Sequence, residues 1–118
     1  MKLAVFVCQD YYPDGGADDF IGFAPNGTAE EVVALLQWTR TEESGIGSCD
    51  VFNLLNCDTG EVMGAGLNYR VYHDLGAPLE INLSRVSSAI ADRKKASALN
   101  PEFVEALKQI PNVIVIEV

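Results

Sequence analysis

Lys2-Leu3-Ala4-Val5-Phe6-Val7-Cys8 is the stretch on which the fold turns. It is short, β-branched and aromatic, with no polar residue alternating among the apolar ones, so it predicts a strand covered on both faces and central in a sheet. Residues 9–27 follow with Pro13, Gly15, Gly16, Gly22, Pro25 and Gly27, a density of breakers that predicts one long loop. Beyond it the spacing predicts a helix. Thr28 caps it, Glu31 completes a capping box three residues on, and Val32, Leu35 and Leu36, with Trp38 or Thr39, supply the apolar face.

Cys49–Asn56 and Glu61–Tyr72 flank Cys57-Asp58-Thr59-Gly60 and predict a β-hairpin. Val62, Leu67, Tyr69 and Val71 do not keep one parity across Gly64-Ala65-Gly66, which predicts a bulge at those glycines. Asp74–Asn82 has room for a short extended piece, and Ser84 opens a second predicted helix with Val86 and Ile90 inside. Asn100-Pro101-Glu102 starts another, with Phe103, Val104, Leu107 and Ile110 as its stripe. Pro111 ends it, and Asn112–Val118 reads as an apolar final strand.

The order β-α-β-β-α(α)-β is the ferredoxin-like pattern: an α+β domain, residues 1–118, with helices on one face of an antiparallel sheet. Its last strand would lie at an edge, where so apolar a segment invites a partner. The expectation is a homodimer through Asn112–Val118.

The 118 residues carry 17 acids against 8 bases, for a net charge of −9. The whole excess lies in Met1–Glu61, where eleven acids meet only Lys2 and Arg40. That balance excludes direct binding to nucleic acid or an anionic membrane through clustered Lys and Arg. Leu3–Cys8 is too short for a signal-peptide core, and no apolar run approaches a membrane span. A cytoplasmic location is expected. Cys8, Cys49 and Cys57 are then free thiols, and their spacing matches no metal or redox pattern.

Asp10–Phe23 is the densest chemical feature, with four carboxylates and four aromatics. It fails as a calcium loop, because Tyr12 and Ile21 stand where carboxylates are needed. No metal or cofactor is expected. As a catalytic carboxylate pair it lacks a distinctive partner. It can instead be an ordinary turn with Tyr11, Tyr12, Phe20 and Phe23 packed on the core, or a recognition loop in which Tyr, Gly and Asp give rigid contact area. His73, the sole histidine, has no identifiable nucleophile, and Cys57 has no cation within eight residues to activate it. Gly60–Gly66 lacks the lysine of a phosphate loop.

Asp10–Pro13, Gly15–Gly16, Asp19–Gly22 and the Asp58–Glu61 turn together resemble a group of small bacterial and phage proteins of uncharacterised function. The resemblance covers residues 1–66. It implies a small cytoplasmic protein of phage or mobile-element context and carries over no catalytic residue.

Two function classes follow. The first is a non-enzymatic acidic interaction module, in its sharpest form an anti-CRISPR or other anti-defence inhibitor occupying a basic nucleic-acid-binding surface of a host protein. Its partner-binding residues are Tyr11, Tyr12, Asp14, Asp18, Asp19, Phe20, Glu30, Glu31, Glu42 and Glu43. The second is a small enzyme or ligand-binding domain with a pocket near Tyr11, Tyr12 and His73.

Overall fold

The computed structural model describes residues 1–8, 19–46, 49–68, 74–84, 89–90, 94–95 and 97–117. Nine strands, two helices and one 3₁₀ turn lie among them. In chain order they are β1 (Leu3–Cys8), β2 (Phe20–Ala24), α1 (Ala29–Thr39), the 3₁₀ turn Glu42–Ser44, β3 (Val51–Asn56), β4 (Val62–Leu67), β5 (Leu79–Asn82), β6 (Ala89–Ile90), β7 (Lys94–Lys95), β8 (Ser97–Ala98), α2 (Pro101–Lys108) and β9 (Val113–Ile116). The main sheet runs β2-β1-β3-β4-β5-β9, with β8 on β4 and β6-β7 as a separate pair. It is a mixed, mostly antiparallel α+β sheet. Seven strands stand where the ferredoxin-like reading placed four.

β1 lies inside the sheet, paired antiparallel with β2 and β3. β9 closes one edge, parallel to β5. Its entry is set by Pro111 and by Asn112, whose left-handed φ of 64° suits a residue with a short polar side chain.

Register separates the two faces of the sheet. Leu3, Val5 and Val7 stand opposite Asn56, Leu54 and Phe52, and the same face continues through Ala65, Leu67, Ile81 and Leu79. These side chains form one buried cluster with Ala29, Val32, Val33 and Leu36 of α1 and Phe103, Val104 and Leu107 of α2. Both helices therefore cover one face. Burying such side chains contributes roughly 1.5–3 kcal/mol each, which is why the pattern is so apolar there.

The helix starts form as the sequence predicts. Thr28 Oγ1 accepts from the Glu31 amide while the Glu31 carboxylate accepts from the Thr28 amide, and Asn100 Oδ1 accepts from the Phe103 amide. The hairpin turn also forms: Asn56 Oδ1 accepts from the Asp58 and Thr59 amides, and Gly60 takes the left-handed φ of 77° that closes it.

Three local expectations are corrected. Residues 20–24, read as loop, form edge strand β2, whose ladder slips between Val5 and Phe6; an edge can carry Gly22 and the irregularity because only one side is paired. No bulge lies at Gly64–Gly66, where β3 and β4 keep unbroken register. β4 is buried along both faces, so side-chain parity carried no information, and Gly64 is small because a Cβ would lie 2.4 Å from Asn53 Oδ1 and 2.6 Å from the Phe52 carbonyl. Finally, the described residues between Ser84 and Leu99 are strand and not helix. β5 covers Gly66–Leu67 of β4's free edge, β8 covers Met63–Gly64, and β6 and β7 pair with each other, so ladder hydrogen bonds outcompete a weak helical stripe.

Candidate functional site

The far end of α1 is built from hydroxyls and one buried cation. Thr39 Oγ1 donates to the Leu36 carbonyl, Thr41 Oγ1 to Trp38, and Ser44 Oγ to Thr39 and Thr41, so the last carbonyls of the helix are satisfied locally. Gly45, at φ 68°, then closes the 3₁₀ turn onto Glu42. This holds Glu42 and Glu43 side by side on the surface.

Arg40 follows the helix and is only 2% exposed. Its Nη1 donates to Gln37 Oε1 at 2.7 Å, and its Nη2 to the carbonyls of Ala77 and Asp74. A turn 34 to 37 residues away is thereby fastened to α1. Asp74 shapes that turn through the Ala77 and Gly76 amides and leaves Leu75 56% exposed at its tip.

Between them lies an open groove of about 560 Å³ lined by Arg40, Thr41, Glu42, Glu43 and Leu75. Its accessible charge is negative. The Arg40 guanidinium is turned inward, whereas among the described residues Glu42 and Glu43 make no ion pair or side-chain hydrogen bond. The negative end of the α1 dipole points the same way. Of the two residues offered for the end of the apolar face, Thr39 is buried, and Trp38, 43% exposed, stands one turn back on the helix in line with exposed Ala34 and Glu30. A Lys or Arg side chain suits such a groove, with its stem on Leu75 and its head by the carboxylates.

The residues singled out in the sequence are distributed unevenly. Tyr11, Tyr12, Asp14 and Asp18 lie outside the described residues, as does His73 of the alternative pocket. Asp19 immediately precedes β2 and Phe20 begins it; the Phe20 ring stands 5.6 Å from Phe6 and 4.9 Å from Phe23, on the face away from the helices. Lys2 Nζ lies 3.9 Å over the Phe23 ring. Glu30 and Glu31 sit at the start of α1, about 16 Å of helix from Glu42 and Glu43. The described acids thus fall in separate places, and Glu31 is engaged in the cap. Hydrogen bonds from the Thr28 amide, then from the Thr28 hydroxyl and Asn26, hold its carboxyl below the ordinary value.

Leu75 and Arg40 were missed as site residues. An apolar side chain between Asp74 and Gly76 in a turn is the signal that could have found Leu75. Cys57 is exposed, and Cys8 and Cys49 are buried. Among the described residues no three His, Cys, Asp or Glu side chains gather to hold a metal ion, and no helix is long and apolar enough to cross a membrane. No protein-family model, curated protein or solved structure matches the chain.

Proposed function

We propose that the protein is a non-enzymatic, cytoplasmic interaction module that binds a basic surface of another protein through the far end of α1. The observation that carries this reading is the pairing of unneutralised Glu42 and Glu43 with exposed Leu75 and Trp38 in and beside one groove. Exposed Trp is an effective anchor at interfaces, and flanking carboxylates accelerate encounter with a basic partner. The net charge of −9 extends the same field. Within the phage-like context of residues 1–66, the partner is a host nucleic-acid-handling protein of a defence system, whose phosphate-binding channel the carboxylates occupy.

The test is affinity capture from host lysate at low and at roughly 0.5 M salt, where screening shortens to a few Å. A basic partner should be held at low salt, released at high salt, and lost by Glu42→Lys with Glu43→Lys. Undiminished capture by that double variant would overturn the reading.

One observation favours self-association as well: β9 is an edge strand with Ile114 45% exposed. A second copy paired along Asn112–Val118 would cover it. Light scattering should then give a mass above 12.8 kDa that falls on Ile114→Lys.

A further inference from the structure

Toward the opposite end of α1, where the Met1 carbonyl approaches Gly27, a cavity of about 400 Å³ opens between the end of the β3–β4 hairpin and the junction of β8 with α2. That size falls within the usual range for small-molecule sites. Its accessible apolar surface comes from Met1, 57% exposed, and from Met63 and Ala98, with Leu3 and Leu54 buried beneath them. Asn56 and Asn100 stand in its wall.

The orientation of these two amides is set by the backbone. Asn56 Oδ1 accepts from the Asp58 and Thr59 amides at 2.9 and 3.3 Å, and Asn100 Oδ1 accepts from the Phe103 amide at 2.8 Å. Flipping either side chain would point its NH2 at backbone N–H donors. Each amide nitrogen is therefore turned away from the backbone, and the acceptor each one meets is a thioether: Met1 Sδ at 2.8 Å for Asn56 and Met63 Sδ at 3.7 Å for Asn100. Both sulfurs belong to residues that line the same cavity. Thioether sulfur is a weak acceptor, so a carbonyl oxygen would replace it at a gain. Glu61 also lines the cavity and is exposed, which with the net charge of −9 disfavours an anionic ligand.

We propose that this cavity is a binding site for an uncharged small molecule with an apolar body and an amide- or lactam-type carbonyl, the body resting on Met1, Met63 and Ala98 and the carbonyl accepting from Asn56 and Asn100. The site is independent of the groove at the far end of α1.

The probe is acetanilide, a ring carrying one amide carbonyl, titrated into the isotopically labelled full chain at neutral pH while the side-chain NH2 signals of Asn56 and Asn100 are followed. Both pairs should shift saturably, with a dissociation constant on the order of 10 mM for a ligand of this size. Asn56→Asp with Asn100→Asp keeps every oxygen that the turn and the cap use and replaces both donors, so affinity should fall about tenfold or more. Ala98→Phe, at the cavity mouth, leaves both amides in place and should abolish the shifts, which keeps the test decisive if the double variant fails to fold. Absence of saturable shifts, undiminished binding by either variant, or toluene binding as tightly as acetanilide would each overturn the proposal.

Discussion

α1 and α2 begin in the same way and end differently. Each opens on a side-chain cap with an acid in its first turn, and each buries one stripe against the same sheet face. At its far end α2 is neutralised within the chain: Lys108 Nζ lies 2.7 Å from Glu117 and 3.4 Å from Glu105. The far end of α1 turns its one cation inward, where Arg40 holds the 74–77 turn, and leaves Glu42 and Glu43 facing outward. The same local code thus yields one helix whose end is charge-paired within the chain and one whose end spends its cation on a distant turn and leaves two carboxylates without an ion pair among the described residues.

The comparison is broken most directly in the core. Leu36→Ala and Leu107→Ala each remove a fully buried side chain facing the same cluster, and each should cost roughly 3 kcal/mol in urea denaturation. Strongly unequal losses would show that the two helices do not share one core. Arg40→Met comes next. It strips the Asp74 and Ala77 carbonyls of a buried donor and should cost roughly 2–3 kcal/mol, with faster amide exchange at Gly76 and Ala77. Lys108→Met, which breaks exposed pairs, should leave the urea midpoint nearly unchanged. The caps should behave alike, Thr28→Ala and Asn100→Ala each costing about 1 kcal/mol in thermal or urea melts. Trp38→Ala, on the exposed side of α1, should cost under about 0.5 kcal/mol and yet reduce partner capture.

The smallest effects have opposite pH signs. Glu31 is held below its ordinary value of 4.5, so its contribution is complete above that value and is lost as pH falls through the lowered folded-state value. Lys108 is held above its ordinary 10.5, chiefly by its hydrogen bond to Glu117, so its contribution is complete below 10.5 and is lost as pH rises through the raised value. The urea midpoint should therefore lose its acid-side dependence on this group in Glu31→Gln and the corresponding alkaline dependence in Glu117→Gln. Unchanged profiles in both would show that neither group is coupled to folding.

What the sequence by itself determined is what closes within a few residues. The caps at Thr28 and Asn100, the hairpin turn after Asn56, the stop at Pro111 and the two apolar strands at either end of the chain all rest on short-range hydrogen bonds or on uninterrupted apolar runs. The acids Glu42 and Glu43 were legible for the same reason, as charges in a polar connector. The strand at Phe20–Ala24 and the β8 piece at Ser97–Ala98 depended on which ladder edge stood open beside them, and the straight register at Gly64 on how closely β3 approaches it. So did the site. Arg40 became a buried clamp and Leu75 an exposed side chain beside it only when the 74–77 turn, 34 to 37 residues on, came to the end of α1. Only the tertiary structure decides that, because a burial or a hydrogen bond between distant segments leaves no periodicity in either of them.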